Sequence, residues 1–384
     1  MASIPPNDLD YPDYKKTLGD AFLWAIKKTV PSAEKRHDYL IPFAKFSGLP
    51  GFRAREIPEL EKTLHFQDKS TPITLKSPIM LAAGGNKTGM ALSHFASLGF
   101  GGISVGSATP QPWLGNPYRP RVALIPKDRA MQNAMGLNNP GIEAIAKRVD
   151  LAIGRCHKHK MALGISVTET PGAAKGPKMV EDILFTLRKA YRIADYVEIN
   201  VSCPNTGDDR LDIHTEFLKE LLAEVKELRK SLVPRKAVFI KLSPDMNQVA
   251  LDKTLDLLNQ ANITGVVLFN TFPANRAQFL NMKTPPDKLR VLSADGKKGG
   301  ISGRILYQNT LPAVRFIKEQ LPHFSVIASG GVDCGDKALE LLEAGADAVQ
   351  CYSVLAYRWN AIQKINQELF AALKAKGYKN AQSI

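Results

Sequence analysis

The sequence has little of what marks a metal, disulfide or membrane-spanning protein. Its 384 residues include only four cysteines, Cys156, Cys203, Cys334 and Cys351, and no two form a Cys-x-x-Cys pair. That leaves no iron–sulfur or structural zinc signature. Four scattered thiols in a chain this long suit a reducing compartment better than a disulfide scaffold. The seven histidines show no metal-ligand spacing, and no His-Glu-x-x-His occurs, so no metal site is expected. No run of about 20 apolar residues is available to cross a bilayer. The first residues, Met1–Tyr14, are acidic and contain proline, without the cationic-then-apolar order of a signal peptide. A cytoplasmic protein is the expectation. Repeats and low-complexity tracts are absent as well.

What is present is ordinary for a globular chain: 44% hydrophobic and 23% charged residues, in a length that supports a large core. The formal net charge is +14, which favours anionic partners such as phosphorylated cofactors, carboxylate substrates or anionic lipid. Nucleic acid is not among the expected partners, because charge alone speaks for it: there is no basic run and no aromatic RNP pattern.

From about Pro78, apolar runs alternate with amphipathic stretches. The runs are Ile79–Ala83, Gly102–Gly106, Ala162–Val167, Tyr196–Val201, Val238–Leu242, Gly265–Asn270, Ser325–Ser329 and Ala346–Cys351. They are rich in Val and Ile without strict polar alternation, as strands buried on both faces are. Helical spacing fills the gaps, most clearly in Phe217–Leu232, where Leu218, Leu221, Leu222, Val225 and Leu228 share a face. Lys178–Ala194, Gln248–Ala261, Arg304–Gln320 and Asp336–Ala344 read the same way. Eight strand–helix units predict a (β/α)8 TIM barrel of class α/β over residues 76–384. The rival doubly wound sheet normally needs fewer strands, and no Gly-x-Gly-x-x-Gly follows the first strand.

Residues 1–75 form a separate N-terminal α-helical extension in this reading. Thr17–Val30 has helical spacing, Pro31 ends it, and Ser32 can cap a second helix to about Phe46. Lys27, Lys28, Lys35, Arg36 and Lys45 lie among its apolar residues. Two roles fit this pattern: a helical cap packed on the barrel, or a basic amphipathic hairpin lying on an anionic membrane surface.

In such a barrel, function collects at the carboxyl ends of the strands. Those ends here are rich in Gly, Asn, Ser and Lys. Gly-rich turns around the last two strands, with Ser302-Gly303 before a helix, offer bare backbone N–H groups to a phosphate. Asparagines supply paired donors and acceptors for a planar imide or amide. Lys241 ends a buried strand and either meets an anionic or electron-rich partner there or snorkels at the rim. Cys203, in a Pro-flanked loop after the fourth strand, is either a proton acceptor with a lowered pKa or an ordinary buried thiol. Nothing marks Cys156, Cys334 or Cys351 as more than structural.

These strand ends resemble the dihydroorotate dehydrogenase family, the FMN enzymes of pyrimidine synthesis, from about Ser77 to the last helix. The resemblance is carried by Ala82-Ala83-Gly84 with Lys87, Gly106-Ser107-Ala108-Thr109-Pro110 with Gly115-Asn116-Pro117, and Asn133-Ala134-Met135-Gly136-Leu137-Asn138. It continues through Asn200, Cys203-Pro204-Asn205-Thr206, Lys241, Asn270-Thr271, Gly300-Ile301-Ser302-Gly303, Gly330-Gly331 and Tyr352-Ser353. It implies that Ala82, Ala83, Gly84, Lys87, Ser107, Ser166, Asn200, Lys241, Ser302, Gly303, Gly330, Gly331, Tyr352 and Ser353 hold FMN. Dihydroorotate or orotate would meet Lys87, Asn133, Met135, Gly136, Leu137, Asn200, Asn205, Asn270 and Thr271. Cys203 would take the C5 proton while a hydride leaves C6.

The family has two broad classes, and the chain mixes them. The N-terminal extension and the Gly-Asn-Pro loop resemble the membrane-associated, quinone-reducing class 2, which implies quinone as acceptor and attachment to the inner face of a membrane. The Cys base and the Asn133–Leu137 motif are those of class 1. Leu124 stands where class 2 has Arg, and Ser166 where it has Asn. The alternative reading is a class 1-like dihydroorotate or related dihydropyrimidine oxidoreductase with a soluble acceptor. A flavin-binding barrel without catalysis is a further one, against which Lys87, Cys203 and Lys241 stand together.

Overall fold

The computed structural model describes residues 54–172, 177–201, 215–289, 299–358 and 360–384. The two helices expected in 17–46, and with them the proposed membrane hairpin, lie outside these residues, as do Cys203 and Asn205.

The described chain opens with a short antiparallel hairpin, β1 (Lys62–Leu64) and β2 (Ile73–Leu75). Then follow β3 (Ile79–Asn86), β4 (Gly102–Ala108), β5 (Val122–Ile125), β6 (Ala130–Asn133), β7 (Ala162–Val167), β8 (Tyr196–Asn200) and β9 (Ala237–Leu242). The remainder are β10 (Gly265–Leu268), β11 (Phe272–Pro273), β12 (Gly300–Gly303), β13 (Ser325–Ser329) and β14 (Ala348–Cys351). Eight of them, β3, β4, β7, β8, β9, β10, β13 and β14, pair in parallel in chain order, and β14 closes on β3. This is the (β/α)8 barrel read from the eight apolar runs. The helices Pro177–Ile193, Thr215–Ser231, Gln248–Gln260, Tyr307–Gln320 and Gly335–Glu343 lie within a few residues of their predicted bounds.

Both faces of the barrel strands are buried, and alternation divides them. Ile79, Leu81, Ile103, Leu163, Ile165, Val197, Ile199, Val238 and Ile240 pack outward into one core with the helices. Met80, Ala162, Tyr196, Ala237, Phe239, Val267, Ile327 and Ala348 point into the lumen. The Tyr196 ring fits there because position 164 is glycine: a Cβ on Gly164 would lie 2.2 Å from that ring. The hairpin closes the floor, adding Leu64, Phe66, Ile73 and Leu75 to the lumen core, with Phe66 edge-on to Phe239 at 6.1 Å between centroids. The expected N-terminal extension thus contains, in its last residues, a strand pair that seals the barrel.

A second sheet, not anticipated from the sequence, has the antiparallel order β11-β12-β6-β5. Its strands all come from segments that follow the carboxyl ends of barrel strands, so it lies at that end. It has its own small core of Ile125, Ala130, Phe272, Ala274, Ile301 and Leu306, among others.

Candidate active site at the barrel mouth

The carboxyl ends of the strands bring most of the singled-out residues together. Ser166 Oγ on β7 meets Ser107 Oγ on β4 at 2.8 Å. The Asn200 amide on β8 donates to Ser107 Oγ at 2.9 Å, and the Asn270 amide beyond β10 donates to Asn200 Oδ1 at 3.3 Å. Asn270 Oδ1 accepts the Thr271 N–H at 2.8 Å. One line of hydroxyls and amides therefore crosses the mouth. Lys241 is buried beside it, in register with Asn200. The neighbouring Thr271 Oγ1 is buried and makes no hydrogen bond to the described protein atoms.

Next to β4 in the barrel, β3 ends at Asn86 with Ala82, Ala83 and Gly84 in its course, and Lys87 follows, its Nζ donating to Asn138 Oδ1 at 2.9 Å. Asn138 belongs to the loop that carries Met135, Gly136 and Leu137. This loop is pinned by Asn116, whose N–H donates to Met135 O at 3.1 Å and whose amide donates to Ala134 O at 3.0 Å. Gly136 adopts φ +68°, and a Cβ there would meet Asn116 Oδ1 at 2.5 Å. The Gly-Asn-Pro loop thus holds the Asn133–Leu137 loop in place. Asn133 itself ends β6, paired with Gly300 on one side and Val122 on the other. Leu124 is half-buried on β5, opposite Met131.

The Gly-rich turns form the third part. Gly300–Gly303, expected as a turn before a helix, is the strand β12, followed by a short helical turn at Arg304–Leu306. Ser353 Oγ donates to Ser302 Oγ at 2.7 Å. Gly331, after β13, has φ +83°, and a Cβ there would lie 2.3 Å from the Tyr307 backbone nitrogen. Bare backbone thus approaches the start of the helix Tyr307–Gln320, which precedes β13, the arrangement that suits a phosphate group. Ser302, Gly303, Gly330, Gly331, Tyr352 and Ser353 share this end of the barrel.

The remaining described thiols behave as expected of structural ones. Burial pushes Cys351 up to about 12, and burial with the nearby Asp195 charge pushes Cys156 up to about 11, so both stay protonated and inert near neutrality. No group of three or more His, Cys, Asp or Glu among the described residues is placed to hold a metal ion.

Residues 66–373 match the family model described as dihydroorotate dehydrogenase. The chain belongs to the dihydroorotate dehydrogenase family. Among curated relatives, dihydroorotate dehydrogenase (quinone) of Dichelobacter nodosus is 36% identical over 291 residues, covering 74% of this chain and 81% of the relative. The enzyme of the same name from Aliivibrio salmonicida is 34% identical over 335 residues, 85% and 92% of the two chains. A crystal structure of the Eimeria tenella dihydroorotate dehydrogenase in complex with ferulenol superposes with a TM-score of 0.79 at 26% identity, covering 94% of this chain and 96% of the other.

Strand-end reasoning missed several supporting groups: Asn138, which holds Lys87; Asn116, which pins the loop; and Tyr357, whose hydroxyl accepts the Ile125 N–H at 3.0 Å and donates to Ala130 O, tying the β5–β6 hairpin to the barrel. Asn116 and Asn138 lie within the motifs that carry the resemblance but had no role assigned to them, and Tyr357 had no sequence signal. It also missed Glu198, which does have one, as an acidic residue inside the apolar run Tyr196–Val201.

Proposed function

We propose that this chain oxidises dihydroorotate to orotate with FMN as its cofactor and passes the electrons to a quinone. The observation that carries the reading is the hydrogen-bonded line Ser166–Ser107–Asn200–Asn270 with the buried Thr271 hydroxyl and Lys241 beside it. A planar ring with imide edges needs such paired donors and acceptors in fixed places. FMN, when bound, supplies the hydride acceptor.

The chain's own residues divide the remaining work. Ser302, Gly303, Gly330, Gly331, Tyr352 and Ser353 would hold the phosphate, and Ala82, Ala83, Gly84, Ser107, Ser166 and Lys241 the ring system. The fit rests on the bare approach at Gly331, where a side chain has no room. Lys87 would balance the substrate carboxylate. Asn133, Asn200, Asn205, Asn270 and Thr271 would orient the pyrimidine, with Met135, Gly136 and Leu137 closing over it. Cys203 would accept the C5 proton.

The curated relatives named above carry quinone in their names, which supports that acceptor. The N-terminal residues 17–46, basic and amphipathic, would bring the mouth to an anionic membrane surface. Among the described residues no helix is long and apolar enough to cross a membrane. Leu124 favours a second reading, a soluble acceptor, because an aliphatic side chain on β5 offers no hydrogen bond to a quinone carbonyl.

Anaerobic mixing of the purified protein with dihydroorotate tests both halves. Loss of the visible flavin absorbance is expected, and its return on adding a quinone but not fumarate. A yellow protein that does not bleach would refute the substrate. Return with fumarate alone would refute the quinone.

A further inference from the structure

A polar cluster crosses the barrel lumen below the mouth. Ser104 on β4, Glu198 on β8 and Gln350 on β14 belong to strands that are not neighbours in the barrel, so their contacts span its interior. The Gln350 amide donates to Ser104 Oγ at 2.9 Å and to Glu198 Oε1, and Ser104 Oγ donates to the same carboxylate oxygen. The Tyr196 hydroxyl meets Ser104 Oγ at 2.9 Å. Glu198 and Ser104 are 0% exposed and Gln350 1%. Two oxygens of the cluster, Glu198 Oε2 and Gln350 Oε1, have no hydrogen-bond partner.

Both orphans are acceptors. An amide at position 198 would keep the bonds that Oε1 accepts and would add a donor to the cluster that a carboxylate lacks. The buried charge therefore costs stability relative to its isostere. Burial, and next the Glu198 charge, push the Tyr196 phenol well above its ordinary value. Such a cost on the barrel axis calls for a return elsewhere.

The return lies one layer up. Alternation places Tyr196, Glu198 and Asn200 on the same, inward face of β8, and two residues advance about 6.6 Å along a strand. Asn200 is in register with Lys241, so the carboxylate sits directly beneath the layer that carries both. Charges in a dry interior are weakly screened at that separation.

We propose that Glu198 is a positioning residue that lowers the reduction potential of the flavin above it by opposing the positive charge of Lys241. This rests on the FMN reading of the mouth. With the carboxylate present, Lys241 stabilises a reduced, anionic ring less than it would alone.

Redox titration of the FMN-loaded full-length protein tests this. In Glu198→Gln the flavin midpoint potential is expected to rise by about 30 mV or more, a tenfold shift of a two-electron equilibrium, with an equal or higher melting temperature. Glu198→Asp, which keeps the charge, is expected to return the potential toward that of the wild type. An unchanged potential in Glu198→Gln overturns the proposal. So does a Glu198→Gln protein that melts lower or fails to fold, since the carboxylate is then structural. Wild-type protein that takes up no flavin overturns the FMN reading itself, a failure visible before any titration.

Discussion

Position, not residue type, separates the cysteines. Cys351 is buried on the helix-facing side of β14 and Cys156 on the barrel side of the helix Ile142–Lys158, each held protonated by burial. Cys203, three residues beyond the end of β8 in the sequence, is the proton acceptor of the proposed reading. In flavin-loaded protein, Cys203→Ala is expected to slow bleaching by dihydroorotate by about 10²–10⁴-fold, the usual worth of a general base, with flavin retained. Cys203→Ser is expected to keep part of the rate, with its pH profile moved upward, because a hydroxyl is a weaker acid than a thiol. Stopped-flow rates across pH check both, and a wild-type rate in Cys203→Ala would remove Cys203 from the chemistry. At this scale much of the site was legible. Ser107, Ser166, Asn200, Lys241 and Asn270 are polar residues ending apolar runs. Their linkage into one line was not, because hydrogen bonds between strands distant in sequence leave no local pattern.

Among the elements, the floor hairpin is fastened by a buried ion pair. Asp68, in the turn between β1 and β2, is bonded to Arg229 Nη2 at 2.5 Å, with side-chain exposures of 3% and 2%. Thr264 Oγ1 donates to the same carboxylate oxygen at 2.6 Å, and the Ser70 N–H donates to the other at 3.0 Å. Breaking one side of a buried pair strands the other. Arg229→Ala is therefore expected to lower unfolding stability by about 3–5 kcal/mol in urea titration, and a loss within error would show that the hairpin holds without it. Burial alone would raise the Asp68 carboxyl, but the Thr264 and Arg229 hydrogen bonds, the guanidinium charge and the Ser70 amide together hold it below its ordinary value. Its contribution is then complete above the ordinary carboxylate range and is lost as pH falls through the lowered folded value. Arg229→Ala should flatten that acid limb. The antiparallel sheet over the mouth escaped the sequence because strands such as Phe272–Pro273 and Gly300–Gly303 are too short to show a period.

For the whole molecule, the chain's end returns to its described beginning. Gln382 Oε1 accepts the Thr63 N–H at 2.6 Å, and Asn366 donates to Gly99 O at 2.9 Å while accepting from Ser77 Oγ at 2.8 Å. The barrel is thus closed by contacts that begin at residue 54 and beyond. Removal of residues 1–53 is expected to leave a folded protein that still bleaches with dihydroorotate, but that no longer sediments with anionic lipid vesicles and reoxidises more slowly with quinone. Vesicle binding and quinone reoxidation equal to those of the full chain would refute a membrane role for that segment.

Local pattern along the chain is enough to specify the barrel and the end at which the candidate site residues gather. Eight apolar runs buried on both faces, spaced by amphipathic helices, leave few other packings, and their polar ends mark one mouth. What stands over and under that mouth emerges on folding: the antiparallel cap, the floor hairpin and its Asp68–Arg229 pair, and the Glu198 cluster in the lumen. The physical reason is range. Burial periodicity is a property of adjacent residues and can be read along the chain. The partners of Asp68, Asn200 and Glu198 lie scores of residues away, and only closure of the barrel brings them within hydrogen-bonding distance.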